Sequence, residues 1–326
     1  MFLEGKRLLL AGGTGLAGSA VLRAALSAGA DVRVRVPHRG RDGVFIDDPR
    51  VEYFQVDLTV AADCARVAAG CDCAVLAAAQ TGGAQQTRDR PWSQVTPNLV
   101  MDALLLQALC EAGARRVVYV GTASAYQEFA GAIREEQLDW NQDPPSAHFG
   151  VGWAKRSAEK LCRFWHDFGK MDILVARLAN VYGPYAQFRP ENSHFVAALV
   201  RKAVNGDDPF VIWGDPAVGR DILYADDFGR AVVLMLEATD VRFDVFNIGS
   251  GRITTVQQAA DFALRFAGHR PSRIMYDGAS PSTITYRLLD CAKAFDVLGW
   301  APQVFSEDGI RRTVEWWRAN RKTWER

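Results

Sequence analysis

The chain of 326 residues has no net charge, since 38 lysines and arginines balance 38 aspartates and glutamates. Without an overall basic field, nothing draws it at long range to nucleic acid or to an anionic membrane surface. Long apolar runs are missing too. No stretch reaches the ~18 residues of a membrane span. The apolar residues Leu8 to Ala11 stop at a glycine cluster and are too few for the core of a secretory signal. The six cysteines (Cys64, Cys71, Cys73, Cys110, Cys162 and Cys291) have the spacing of neither a zinc site nor a disulfide framework. Free thiols in a reducing, cytoplasmic compartment are expected, with no metal. What is present is ordinary globular composition, 49% hydrophobic and 23% charged, in a chain long enough for about two domains.

The first half alternates strand-like and helix-like segments. Strands are expected at 6–10, 32–36, 51–56, 74–78, 117–120 and 173–177, with helical spacing at 16–28, 61–69, 99–112 and 153–168. Such alternation implies right-handed βαβ units on a parallel sheet. Apolar runs without a period of two fit strands covered by helices on both faces. The fold class is therefore α/β, a doubly wound parallel sheet with a smaller, interleaved C-terminal part. In the second half, helical stretches at 194–204, 226–237 and 256–266 are broken by turns. The expected division gives 1–178, plus about 214–250, to the first domain. The second domain takes 179–213 and 251–326.

Between the first strand and first helix lies Gly12-Gly13-Thr14-Gly15-Leu16-Ala17-Gly18. Glycine permits the tight turn and the close approach of backbone to a pyrophosphate, which then meets the N–H groups of a helix N-terminus. A Rossmann-type dinucleotide site is expected, using Gly12, Thr14, Gly15, Leu16 and Gly18. After the second strand, an acid would bind a ribose 2′-OH and a cation would favour a 2′-phosphate. The segment from Arg35 through His38, Arg39 and Arg41 holds no acid and three arginines. It favours NADP(H) over NAD(H); a solvated basic loop is the competing explanation.

With these come Leu76-Ala77-Ala78-Ala79-Gln80-Thr81-Gly82-Gly83, Asn98, Gly121-Thr122-Ala123-Ser124-Ala125-Tyr126, Asn180-Val181-Tyr182-Gly183-Pro184, Arg189-Pro190-Glu191-Asn192-Ser193-His194 and Gly219-Arg220-Asp221 through Asp227. The chain thereby resembles the extended short-chain dehydrogenase/reductases of the NAD-dependent epimerase/dehydratase family. It is most similar to their GDP-L-fucose synthase and GDP-mannose 3,5-epimerase branch. The resemblance places Asp57 and Leu58 beside the adenine, Ala77, Ala78 and Ala79 along the cofactor, and Asn98 and Lys155 among its contacts.

It also exposes two departures. The family moves hydride with a Ser/Thr, a Tyr and a Lys in YxxxK spacing. Thr122 and Lys155 match, but the Tyr position holds Val151, which has no ionisable proton. Tyr126, His148 and Tyr185 are candidate substitutes. At Ser124 the fucose synthase branch has a cysteine acid/base, and a hydroxyl is a far weaker acid than a thiol. The partner imidazole of that branch matches His194, whose type suits proton transfer near neutral pH. Ala123-Ser124 replaces the Asp-Glu of the dehydratases, which argues against 4,6-dehydration.

The expected chemistry is epimerisation next to a C4 ketone, with Thr122, Ser124, Lys155 and His194 as the catalytic set. The runners-up are an oxidoreductase or 4-epimerase with a substitute for the phenol, and a silent nucleotide- or sugar-binding protein. By resemblance Arg220 contacts the nucleotide diphosphate. Gln80, Asn180, Arg201, Lys202, Trp213 and Arg287 are further substrate-side candidates, with GDP favoured as the nucleotide. The helices at 99–112 and 153–168 match those that pair in family homodimers as a four-helix bundle.

Overall fold

The computed structural model describes residues 2–29, 31–40, 43–82, 89–169, 171–190, 193–278 and 286–324. Arg41, Gly83, Glu191 and Asn192, quoted above, lie outside them. In chain order the elements of the first half are β1 (Arg7–Ala11), α1 (Leu16–Ala28), β2 (Arg33–His38), β3 (Val51–Gln55), α2 (Ala61–Ala68), β4 (Cys73–Leu76), α3 (Thr96–Glu111), β5 (Arg116–Thr122), β6 (Ala132–Ile133), α4 (Phe149–Asp167) and β7 (Asp172–Leu178). Then come β8 (Asn180–Tyr182), α5 (Phe195–Asn205), β9 (Phe210–Trp213), β10 (Gly219–Tyr224), α6 (Ala225–Glu237), β11 (Phe243–Ile248), β12 (Ile253–Thr255), α7 (Val256–Ala267), β13 (Ile274–Asp277), β14 (Tyr286–Leu289), α8 (Ala292–Leu298) and α9 (Ser306–Trp324).

Seven strands form one sheet in the order β11-β7-β5-β4-β1-β2-β3, with every neighbouring pair parallel. The reason is visible in β1. Leu8 and Leu10 enter a core with Val21, Leu22, Phe228 and Val232 of α1 and α6. Leu9 and Ala11 enter the opposite core with Leu105, Leu106 and Ala158 of α3 and α4. Both faces are covered, so successive residues must be apolar, each contributing roughly 1.5–3 kcal/mol when fully buried. Cysteines serve the same packing. Burial pushes the Cys64 thiol up to about 11 and Cys73 to about 12, which keeps them protonated and inert.

A smaller layer is built on β10, which pairs with β8 and β14 in parallel and β12 antiparallel; β14 pairs with β6, and β9 with β13. Its core joins α5, α7 and α9, with Val200, Ala260, Val314 and Trp317 buried together. The Trp317 ring stacks on Phe188 at 4.1 Å. Sheet membership changes at Ala225 rather than near residue 214, because β10 belongs to the smaller layer and α6 returns to α1. There a Cβ on Gly229 would stand 2.5 Å from the Ala20 carbonyl oxygen. The chain returns once more, when Ala294, Leu298 and Trp300 pack into the core of the large sheet. No helix among the described residues is long and apolar enough to cross a membrane.

Candidate active site

The glycine loop leaves β1 and turns into α1 at the C-terminal edge of the large sheet. Gly12 has φ +87°, and a Cβ there would meet the Ala77 backbone at 2.6 Å. On Gly18 a Cβ would collide with the Gly12 carbonyl oxygen. The loop is thus pressed against both α1 and the segment after β4. Helix α1 starts at Gly15 with no side-chain cap and no acid in its first turn. Its first N–H groups lack intrahelical partners and face no competing carboxylate, which suits a dinucleotide pyrophosphate.

Around this loop the structure separates the expected cofactor residues. His38 Nδ1 lies 2.7 Å from the Gly40 carbonyl oxygen, and Arg39 reaches Gln80 Oε1 at 3.4 Å and Asp57 at 3.6 Å, all at the strand ends. Asp57 also accepts from Thr59, while Leu58 is buried in the core. Arg35 is elsewhere. It lies mid-strand, donates to the Ala69 carbonyl oxygen at 2.5 Å and pairs with Glu52 at 3.6 Å. The structure thus places Arg35 away from the strand ends that hold His38 and Arg39. Asn98 sits behind the segment that follows β4. It is buried, its amide donates to the Gln80 and Gln94 carbonyl oxygens, and its own oxygen accepts the Gln80 N–H at 2.7 Å. Its hydrogen-bonding capacity goes into clamping the loop that continues from Ala77, Ala78 and Ala79.

Beside that loop, β5 delivers Thr122 and Ser124. The Thr122 hydroxyl accepts the Ser124 N–H at 3.2 Å and caps a short turn over Ala123–Ala125. The turn is fixed from below by Arg156, fully buried, which donates to the Ala125 carbonyl oxygen at 2.7 Å. From the side comes α4, where a Cβ on Gly152 would stand 2.8 Å from the Ser124 carbonyl oxygen. Lys155, one turn after Val151, is buried. Its ammonium donates to Tyr119 Oη at 2.8 Å and to the Val120 carbonyl oxygen at 3.3 Å, with Asp102 at 3.4 Å. Tyr119 donates to Asp102 Oδ2 at 2.8 Å. Burial and the Asp102 charge push the Tyr119 phenol well above its usual range, so it stays protonated.

Two of the three candidate substitutes for the missing phenol are placed elsewhere. Tyr126 is fully buried, donates to Asn247 Oδ1 at 2.7 Å and accepts from Arg177, and burial drives its pKa up. Tyr185 packs on Trp316 and Trp324, with Arg23 over its ring. His148 lies at the N-cap of α4, with Arg287 and Arg220 as the charged groups acting on it.

Strands β10 and β14 carry two of the arginine candidates. Arg220 and Arg287 are register partners. Arg287 donates to the Ala123 carbonyl oxygen, next to Ser124, and the Arg220 guanidinium lies 5.8 Å from the Phe195 ring, next to His194. Two guanidiniums thus stand between the turn that carries Ser124 and the start of α5. Burial lowers Arg287 to about 10 and lowers Arg220 as well, a pull that an anion would offset. Arg201 carries a buried Nε without a hydrogen-bond partner. Asn180 donates to the Asp221 carbonyl oxygen at 3.3 Å. Lys202 donates to the Val211 carbonyl oxygen at 2.7 Å and stands over the exposed ring of Trp213. His194 forms the N-cap of α5, open to water, and makes no side-chain cap. Protein mass around the ring lowers its pKa by desolvation, leaving a neutral imidazole at pH 7.

Comparison with known proteins decides the family. The model of the NAD dependent epimerase/dehydratase family matches residues 8–249. The chain belongs to that family. A probable GDP-L-fucose synthase 1 of Oryza sativa subsp. japonica is 28% identical over 325 residues, 97% of this chain and 93% of its own. The GDP-L-fucose synthase of Escherichia coli K12 is 26% identical, covering 97% of each. Among solved structures, the UDP-glucose 4-epimerase of Thermotoga maritima with UDP-glucose superposes with a TM-score of 0.84 at 26% identity, covering 96% of this chain and 99% of its own. Membership in the epimerase/dehydratase family agrees with the sheet order and the glycine loop. The motifs did not disclose the buried partners of the site: Asp102 and Tyr119 around Lys155, and Arg156 under the turn. One signal was available, because Lys155, Arg156 and Glu159 put three charges on the inward face of an amphipathic helix.

Proposed function

We propose that the chain is a nucleotide-sugar epimerase that inverts a sugar carbon next to a C4 carbonyl, with Val151 in place of the redox phenol. The reading is supported by the Arg220–Arg287 pair, which links the turn at Ser124 to the start of α5, where His194 is exposed and desolvation lowers its pKa. A neutral imidazole can take the proton from C3 or C5, since the neighbouring ketone turns the resulting anion into an enolate. Thr122 donates to the C4 oxygen. Ser124 or water on the other face returns a proton to carbon. Lys155 keeps the β5 end in place through Tyr119.

Arg220, Arg287 and Arg201 suit a diphosphate, for which guanidinium is the better donor set. Resemblance to the fucose synthases favours GDP as the nucleotide. A nicotinamide dinucleotide at the glycine loop would supply a hydride donor or acceptor when bound. His38 and Arg39 favour NADP(H), and Arg39→Ala should bring NADPH and NADH dissociation constants together in fluorescence titrations. Free thiols suit a cytoplasmic enzyme, and the outer faces of α3 and α4 suit a homodimer.

The test is exchange of sugar C–H protons with D₂O in a 4-keto nucleotide sugar. His194→Ala should slow exchange by roughly 10²–10⁴-fold, the range of one acid–base group. Val151→Tyr should leave it largely intact. No exchange with any such sugar, together with a nicotinamide absorbance change, would instead identify an oxidoreductase with a substitute proton carrier. Tight binding with neither signal would identify a sensor.

A further inference from the structure

We propose that the imidazole of His148 donates an N–H hydrogen bond to the sugar carbonyl oxygen and thereby takes over the electrophilic part of the missing phenol. This rests on the epimerase reading above. His148 is the N-cap of α4, three residues before Val151. Residues three apart at a helix start share a face, with Cβ atoms about 5–6 Å apart. A ring at 148 therefore reaches the space that a phenol at 151 would fill. The first turn of α4 is wedged against the catalytic turn, with Gly152 against the Ser124 carbonyl oxygen.

Arg287 on β14 and Arg220 on β10 are the charged groups that act on the ring. Neither ring nitrogen makes a hydrogen bond within the described residues. Burial, reinforced by Arg287 and Arg220, lowers its pKa to about 4. The ring is then neutral at physiological pH and keeps one N–H, a donor for a carbonyl rather than a cation competing for the diphosphate. A neutral histidine with a lowered pKa is a known solution for polarising a ketone.

The step balances without an oxidant. The proton on carbon passes to His194, and the C–H pair becomes the enolate double bond. The carbonyl pair moves onto oxygen, where the His148 N–H meets it. Solvent or Ser124 then protonates the opposite face and the pairs return.

Three variants test this, all measured by D₂O exchange into a GDP-4-keto-6-deoxyhexose. His148→Ala and His148→Phe should each lower kcat by about 10²–10³-fold, as loss of one oxyanion donor does. His148→Gln keeps an N–H and should stay within about tenfold of wild type. Full activity in His148→Phe, or a loss in His148→Gln equal to that in His148→Ala, overturns the proposal. The infrared carbonyl stretch of the bound sugar is a readout independent of turnover. It should fall in wild type relative to free sugar and rise again in His148→Phe. If wild type binds the sugar without exchange, the epimerase reading fails, and the carbonyl frequency alone decides His148. If the 4-keto sugar does not bind at all, both fall.

Discussion

Glu159 and Arg177 meet at 2.8 Å with 3% of either side chain exposed. The guanidinium also donates to Tyr126 Oη and to the Glu135 carbonyl oxygen. This network lies beneath the turn that carries Ser124. Removing one member of such a pair leaves an uncompensated buried charge, so Glu159→Ala should destabilise the fold by about 3–5 kcal/mol; the midpoint of urea unfolding reads it. His148 supplies a pH dependence of known sign. Its folded pKa of about 4 lies below the ordinary 6.5. Between those values the unfolded chain binds more protons than the folded one, so stability rises with pH across that window and is flat above it. The ceiling is ~3 kcal/mol, reduced by solvent screening of a half-buried ring. His148→Gln should flatten part of the loss in Tm between pH 7 and pH 5. His194, shifted the same way, keeps a residual slope.

At the scale of elements, the glycine loop separates two kinds of glycine. Gly18→Ala drives a Cβ into the Gly12 carbonyl oxygen. It should destabilise the protein by about 1–3 kcal/mol and abolish dinucleotide binding in an NADPH titration. Gly15 has φ −87°, and a Cβ there meets only an ordinary contact at 3.4 Å. Gly15→Ala should fold normally and lose affinity alone, because the methyl stands where phosphate approaches. A Gly18→Ala variant that binds normally would refute this account of the loop. Elements of this half were legible because a strand buried on both faces must be apolar throughout, and the helices between them carry a clear stripe. Those of the smaller layer were not. Strands β8, β12 and β14 are three or four residues long and take their register from β10. Helix α9 hides Ile310, Val314 and Trp317 among arginines and glutamates. Candidate site residues could be named where residue type alone suggests a chemistry, as at Thr122, Lys155 and His194. A motif gives a position but not the direction of a side chain, so the hydrogen bonds of Arg35 and Asn98 were not legible.

For the molecule as a whole, α3 and α4 lie side by side over one face of the large sheet, and the end of α4 exposes an aromatic cluster. Phe164 and Phe168 are 56% and 58% exposed and stack at 6.3 Å, with Trp165 edge-on to both. Val100 near the start of α3 is exposed as well. Aromatic rings grouped in this way at the end of α4 suit an interface, since large exposed apolar patches are uncommon on a monomer. A two-fold axis through this face would make a four-helix bundle, and such an interface uses each residue twice. Four phenyl rings would then be buried, worth roughly 6–12 kcal/mol. That is comparable to the whole free energy of a micromolar to nanomolar dimer, about 8–12 kcal/mol. Phe164→Glu combined with Phe168→Glu should therefore convert a dimer at micromolar concentration into a monomer in sedimentation equilibrium. The fold should persist by circular dichroism, because neither ring contributes to a buried core. A wild-type protein that already sediments as a monomer, or a double variant that stays dimeric, would rule out this face as the interface.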